Sequence, residues 1–182
     1  YILWNGGLPL HASAIKIADI TVLFFGKSNS GKSTISYYLK KINSNISIIG
    51  DDHIVISEMK IFGNNKSRIR KFNNQNEFYF DNIQKERFSE KYFIFEVDIN
   101  DKLEKIEFLD ANNYLQNDIS HILKYLYFDI PIETELYKVK DIVGNQTMKI
   151  YLNKIHNFLF SAKEIVKISG NLEFISEYTN NF

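Results

Sequence analysis

The sequence contains no cysteine, so disulfide bonds and thiolate metal sites are excluded and a reducing compartment is compatible with its composition. It has no apolar run that approaches the roughly 18 residues needed to cross a bilayer. The first residues, Tyr1 to Asn5, lack the basic segment of a signal peptide. We therefore expect a cytoplasmic protein that does not bind membranes.

An excess of positive charge is also missing, because 22 basic residues balance 22 acidic ones. A general nucleic-acid-binding protein would normally be basic, so nucleic acid is not an expected partner. With two prolines and eight glycines the chain offers no flexible linker, and we find no internal repeat. Its 182 residues therefore predict a single domain over residues 1–182.

Two apolar runs rich in β-branched residues, Leu10 to Ile17 and Ile20 to Phe25, predict a hairpin closed by Ala18 and Asp19. After a loop of glycine and serine, apolar residues recur with helical spacing from Ile35 to Ile42. A further strand is predicted over residues 46–49, continuing over 54–56 after a bend. Strand, loop, helix and strand in this order predict an α/β fold.

The rest of the chain predicts a polar, irregular middle segment over residues 62–90, whose aromatic side chains are candidates for an acceptor-binding loop or for core packing. Strands are predicted over 92–99 and 105–109, and helices over 115–128 and 150–161. The last helix is expected to turn Ile155, Phe158 and Leu159 inward.

The segment from Gly26 to Ser33 matches the phosphate-binding pattern G-x-x-x-x-G-K-[ST] in full. Glycines at the two ends allow backbone conformations in which the loop amides point inward and, with the helix N-terminus, hold phosphate. We expect Lys32 to reach the β- and γ-phosphates of a nucleotide and Ser33 to bind Mg²⁺. The candidate nucleotide-binding residues are Gly26, Lys27, Ser28, Asn29, Ser30, Gly31, Lys32, Ser33 and Thr34.

Two adjacent carboxylates, Asp51 and Asp52, follow the strand after this helix. If that strand neighbours the loop strand, one carboxylate can hold Mg²⁺ while the other accepts a proton. The alternative is a polar turn, where aspartate is common. His11 opens the first strand, where a lone histidine is more often structural than catalytic.

Three segments in this order resemble the catalytic domain of HPr kinase/phosphorylase and its shorter relatives that modify peptides: residues 10–14 (LHASA), 26–34 (GKSNSGKST) and 49–52 (IGDD). The resemblance implies a fold like that of phosphoenolpyruvate carboxykinase, with a mixed sheet, an N-terminal β-hairpin and C-terminal helices. It also implies a kinase that transfers the γ-phosphate of ATP to a hydroxyl.

The resemblance assigns roles to the polar residues. Asp51 is the expected general base, His11 its hydrogen-bonding partner, and Asp52 the magnesium ligand together with Ser33; Lys32 completes the catalytic set. The arginine-containing segment of the longer family members has no counterpart here. Arg68, Arg70 and Arg87 are the three arginines of the chain, and Arg68 or Arg70 is either a γ-phosphate ligand or an exposed loop charge.

The expected partners are ATP, Mg²⁺ and a hydroxyl-bearing peptide, protein or small molecule, and a homo-oligomer is compatible with the sequence. One alternative is a regulatory nucleotide-binding module that has lost transfer activity. A GTPase is disfavoured, because Asn65-Lys66 and Asn153-Lys154 lack the aspartate that reads guanine. Carboxykinase chemistry on a small acid would need a metal-binding set of His, Lys and Asp that we do not find.

Overall fold

The structure, a computed structural model, describes residues 6–52, 54–57, 60–63, 67–70, 76–79, 85–89, 91–114 and 145–181. Within these ranges it has a mixed α/β architecture: a central six-stranded sheet, a smaller four-stranded sheet and helices packed on both faces of the central sheet. No helix in the described ranges is long and apolar enough to cross a bilayer.

The central sheet has the strand order β11-β12-β10-β3-β2-β4. Strands β3, β10 and β12 run parallel, whereas β2 and β11 run antiparallel to their neighbours. The bounds are β2 Ser13–Ile17, β3 Ile20–Phe25, β4 Ile46–Gly50, β10 Tyr92–Ile99, β11 Lys105–Leu109 and β12 Glu164–Gly170.

The smaller sheet is antiparallel, with the order β1-β5-β6-β9. A separate hairpin consists of β7 and β8. The bounds are β1 Leu8–Leu10, β5 Ile54–Ser57, β6 Lys60–Gly63, β7 Ser67–Arg70, β8 Asn76–Tyr79 and β9 Lys85–Arg87, and of β7 to β9 only the backbone is described.

The longer helices in the described part of the chain are α1 Lys32–Ile42, α2 Asn145–Ser161 and α3 Leu172–Asn180, and residues 111–114 form a further helical turn. Because side chains alternate between the two faces of a strand, β3 contributes Val22 and Phe24 to one core and Leu23 and Phe25 to the other. The core that contains Val22 and Phe24 lies beneath α1 and α3. The core that contains Leu23 and Phe25 lies between the central sheet, the smaller sheet and α2.

The predicted hairpin is confirmed, since β2 and β3 pair antiparallel and Ile17 faces Ile20 across the two-residue turn. Its first strand is shorter than predicted. Leu10 belongs to β1 in the smaller sheet, and residues 11 and 12 cross to the central sheet before β2 begins. Likewise, β5 does not continue β4 but enters the smaller sheet.

The prediction of an irregular middle segment is wrong where the structure describes that segment, because β6 to β9 are short strands there. Strands β10 and β11 and the helix over 150–161 are confirmed, the helix beginning earlier, at Asn145. Ile155, Phe158 and Leu159 are buried as expected. The helix predicted over 115–128 lies outside the described residues, and β12 and α3 were not predicted.

Candidate functional site

The site lies at one edge of the central sheet, where three neighbouring strands bring their polar ends together. Strand β3 ends at Phe25 and leads directly into the phosphate-binding loop. Strand β4 ends at Gly50 on the same edge, because both strands pair antiparallel with β2 between them. Strand β2 begins at this edge, so His11 arrives there as well. Residues from three separate segments therefore meet at one place.

The loop has the backbone that phosphate binding requires. Gly26, Asn29 and Gly31 have positive φ angles of 140°, 67° and 101°, conformations that suit glycine and are tolerated by asparagine. A Cβ atom on Gly31 would collide with the side chain of Ile99 on β10. The loop is also held to β10 by a 2.9 Å hydrogen bond from the Ile99 amide to the Ser30 carbonyl oxygen.

Helix α1 offers its N-terminus to the loop without a cap of its own. The N-cap residue is Gly31, no side chain caps the helix, and its first turn contains no acidic residue. Backbone N–H groups in a first helical turn have no acceptor within the helix, so an anion is their natural partner. Ser30 Oγ is buried in this loop and has no hydrogen-bond partner among the described residues. The loop therefore fits a phosphate group.

Lys32 is folded back over the loop. Its Nζ donates to the backbone oxygens of Gly26 and Lys27, each at 3.0 Å. Burial lowers the pKa of Lys32, while the nearby carboxylates of Asp52 and Asp51 oppose this shift. The side chain is thus a buried amine that faces both the loop and the acidic pair.

Asp51 contacts the helix that follows the loop. Ser33 Oγ donates to Asp51 Oδ1 at 2.8 Å, and the side chain of Asp51 is buried. Burial raises the pKa of Asp51, the hydrogen bond from Ser33 opposes this rise, and the charge of Asp52 adds to it. A hydroxyl and a carboxylate that share one position are hard oxygen donors, so Ser33 and Asp51 fit a magnesium ion.

Asp52 faces His11. His11 Nδ1 lies 2.8 Å from the backbone oxygen of Asp52 and 3.1 Å from Asp52 Oδ1. A carbonyl oxygen can only accept, so Nδ1 carries the proton in this contact. His11 is buried, whereas the side chain of Asp52 is 60% exposed. Asp52 also has a positive φ of 69°, which turns it away from its neighbour.

These contacts correct the expected pairing at the site. We expected His11 to contact Asp51, but it contacts Asp52. Ser33 contacts Asp51, and the expected sharing of a metal between Ser33 and Asp52 stays a prediction. The physical reason is the left-handed backbone of Asp52, because it sends the two consecutive side chains in different directions.

Two serines near Asp51 were missed by the sequence analysis. Ser13 Oγ lies 2.7 Å from Ser36 Oγ and 3.4 Å from the Gly50 carbonyl oxygen, and Ser36 Oγ donates to the Lys32 carbonyl oxygen at 3.1 Å. Both side chains are buried. The signal that could have indicated a polar contact is the hydroxyl of Ser13, which lies between two alanines in an apolar run.

The remaining candidates differ in placement. Lys27, Ser28 and Asn29 are exposed at the tip of the loop, and Thr34 is half-buried on α1. Strand β7, which carries Arg68 and Arg70, lies against α1, and Arg87 lies on β9. The side chains of all three arginines are outside the described residues.

Comparison with known proteins agrees with part of this description. Residues 1–79 match the family model of phosphoenolpyruvate carboxykinase, an ATP-utilising enzyme family, rather than that of HPr kinase. No curated protein matches the chain. The match is consistent with the mixed α/β fold and suggests ATP-dependent phosphotransfer or nucleotide binding, and it covers the loop, the acidic pair and His11.

Proposed function

We propose that the chain binds ATP with Mg²⁺ at the loop from Gly26 to Ser33 and transfers the γ-phosphate to a hydroxyl of a peptide, a protein or a small molecule. The observation that carries this proposal is the 2.8 Å hydrogen bond between Ser33 and Asp51. It joins the phosphate-binding helix to the acidic pair, so the phosphates, the metal and a proton acceptor would share one edge of the sheet.

Each residue has a part in the proposed binding. The loop amides and Lys32 would hold the β- and γ-phosphates, and Ser33 and Asp51 would hold the metal. The metal would supply positive charge against the phosphate oxygens as charge builds up on them. Lys32 would then exchange its loop carbonyl acceptors for phosphate oxygens.

The exposure of the two carboxylates supports Asp52 as the proton acceptor. Asp52 is largely exposed and a bound hydroxyl can reach it, whereas Asp51 is only 4% exposed. In the proposed step the hydroxyl oxygen forms a bond to the γ-phosphorus, the bond from this phosphorus to the bridging oxygen breaks, and ADP leaves. The hydroxyl proton moves to Asp52, which His11 orients through Nδ1.

The test uses γ-labelled ATP, Mg²⁺ and pools of serine- and threonine-containing peptides and small alcohols. We expect label on an acceptor with the wild-type chain, a loss of roughly 100-fold or more in D52N, and no loss in D19N, an exposed aspartate in the hairpin turn. ATP binding without any labelled acceptor would instead favour the regulatory nucleotide-binding module.

The family match supports a second candidate, carboxykinase-type transfer involving phosphoenolpyruvate. It differs from the first in its acceptor, since the phosphoryl group would move between the nucleotide and a small carboxylic acid. Formation of ATP from ADP, phosphoenolpyruvate and bicarbonate by the wild-type chain, and not by K32M, would favour this candidate over a hydroxyl kinase.

A further inference from the structure

Strand β11 lies at one end of the central sheet and has exposed side chains on both of its faces. It pairs antiparallel with β12, and no other described strand pairs with its outer edge. Lys105 on one face and Phe108 on the other are exposed, Phe108 by 68%. The outer edge of an end strand presents a row of backbone N–H and C=O groups, so a further strand can pair with β11.

Charged residues form an ordered row across this end of the sheet. Glu96 of β10, Lys167 of β12 and Glu107 of β11 lie side by side in the strand register, and therefore on one face. Lys167 Nζ lies 2.8 Å from Glu96 Oε1. The signs along the row are negative, positive and negative. Because unlike charges stabilise directly opposite positions and like charges destabilise them, a strand added at this edge should place a positive charge opposite Glu107.

Strand β11 itself carries the required charge. Lys105 lies two residues before Glu107 on the same face, and its Nζ donates to Glu107 Oε1 at 2.7 Å. When two copies of β11 pair antiparallel about a two-fold axis at Ile106, Lys105 of each copy comes opposite Glu107 of the other. The row of alternating signs then continues into the second copy. The two neighbouring symmetric registers, centred on Lys105 or on Glu107, would instead place like charges opposite each other.

We propose that the outer edge of β11 is a self-association surface, at which a second copy of this chain pairs antiparallel in the register that places Lys105 opposite Glu107. The same register fits the other face of the strand, because Phe108 of one copy lies diagonal to Ile106 of the other, within reach of apolar contact. Each copy uses the same edge, so assembly through it stops at two chains.

The proposed dimer is weak and does not involve the nucleotide site. Two five-residue strands bury less surface than a standard stable interface, so we expect a reversible dimer. The loop and the acidic pair follow β3 and β4, and β4 is the strand at the other end of the central sheet. The proposal therefore does not depend on the proposed function.

The first experiment is sedimentation equilibrium of the wild-type chain, K105E, E107K and an equimolar mixture of these two variants. K105E places glutamates opposite each other and E107K places lysines opposite each other, so each variant alone should dimerise roughly 10- to 100-fold more weakly than the wild type. Their mixture restores both unlike pairs and should dimerise at least about tenfold more tightly than either variant alone. K41E and E177K make the same charge changes at exposed positions of α1 and α3 and should equal the wild type.

The second experiment tests the register with a single thiol, because the chain contains no cysteine. I106C places its thiol opposite the same thiol of the second copy, where Cα atoms are about 4.5 to 5.5 Å apart and a disulfide can form. K105C and E107C, which the two neighbouring registers would place on the axis, should cross-link more slowly, because their counterparts are diagonal at about 7 to 8 Å.

A wild-type chain that stays monomeric up to about 1 mM would overturn the proposal. Equal dimerisation by K105E, E107K and their mixture would overturn it as well, and so would faster cross-linking of K105C or E107C than of I106C. Circular dichroism shows whether each variant is folded. If I106C does not fold, the mixture of K105E and E107K decides, and if either of these does not fold, I106C decides.

Discussion

Asp51 combines burial with a negative neighbour, and this combination determines how its charge affects the folded chain. Burial raises its pKa, so the native state holds the proton more tightly than the unfolded state does. By linkage, the stability from this group is fully present below the unfolded pKa and is lost as pH rises through the folded pKa. In metal-free solution the ionised carboxylate is therefore a cost that a bound cation would offset.

D51N should remove this pH dependence. In EDTA, we expect the free energy of unfolding of D51N, relative to that of the wild type, to increase as pH rises from about 4 towards 7. Denaturant titrations at a series of pH values measure this difference. D19N serves as the control because that aspartate is exposed in a turn, and a D51N difference that stays constant with pH would contradict the account.

Gly31 offers a second test at the residue scale, because the chain contains a matched glycine. Gly6 also has a positive φ, of 88°, but the nearest atom to an added Cβ there is 3.9 Å away. G6A should cost about 1 kcal/mol for backbone strain alone. G31A should cost about 1 to 3 kcal/mol more, because its Cβ also meets Ile99.

Chemical denaturation of both variants, with G31A/I99A as a third, measures these costs. Replacing Ile99 by alanine should recover the part of the stability of G31A that is lost through contact with Ile99. It should not recover the part that is lost through backbone strain at residue 31. If G6A and G31A were equally destabilised, the inference that close contact with Ile99 on β10 requires glycine at position 31 would be contradicted.

Local sequence predicted the loop well and the contacts of the acidic pair poorly. The motif from Gly26 to Ser33 specifies its own backbone, so its position between β3 and α1 follows from neighbouring residues. The partner of His11 depends instead on the left-handed conformation of Asp52 and on the distance between segments far apart in sequence. No pattern within either segment contains that information.

At the scale of elements, two strands cross closely beside the site. Gly50 ends β4 and Gly63 ends β6, and a Cβ on Gly63 would collide with backbone atoms of Ile49 and Gly50. This approach sets the end of the smaller sheet directly against the residue that precedes Asp51. The smaller sheet therefore helps to fix where the acidic pair lies.

G63A should separate these two strands. Because the obstructing atoms are backbone, no side chain can yield, and we expect a loss of about 3 kcal/mol in the free energy of unfolding. Mg·ATP affinity should fall too, since Gly50 and Asp51 must move. K60A, at an exposed position of the same strand, is the control in denaturation and binding measurements. A G63A chain as stable as K60A would contradict this description.

The elements that sequence predicted were those with a clear period or a defining loop, such as the hairpin of β2 and β3 and the buried strand β10. Strand β12 was missed although Ile165, Val166 and Ile168 are β-branched and buried. It follows a helix after two residues, Ala162 and Lys163, so no turn residue marks its start, although its burial alternates over residues 166–170. The smaller sheet was missed because its strands have three or four residues each.

At the scale of the whole molecule, one core connects both sheets with α2. It includes Leu10 and Ile61 from the smaller sheet, Leu23 and Ile94 from the central sheet, and Tyr151 from α2. Elements that pack into the same core are expected to lose their contacts together in one cooperative unfolding transition. The single domain expected from the sequence thus stays a prediction that can be measured directly.

Scanning calorimetry should show one cooperative transition whose calorimetric enthalpy equals the van't Hoff enthalpy. Mg·ATP at 100 times its dissociation constant should stabilise the whole chain by about 2.7 kcal/mol. Two separate transitions, with the nucleotide acting on one alone, would show that the sheets belong to independent units.

The most direct test of the central claim is calorimetric titration of Mg·ATP into the wild-type chain and into K32M, a variant that keeps an unbranched side chain of similar size at this buried position but removes its charge. The account predicts saturable binding by the wild type at one site per chain and a loss of affinity of roughly 100-fold or more in K32M. Equal binding by both proteins, or no binding by a folded wild-type chain, would contradict it.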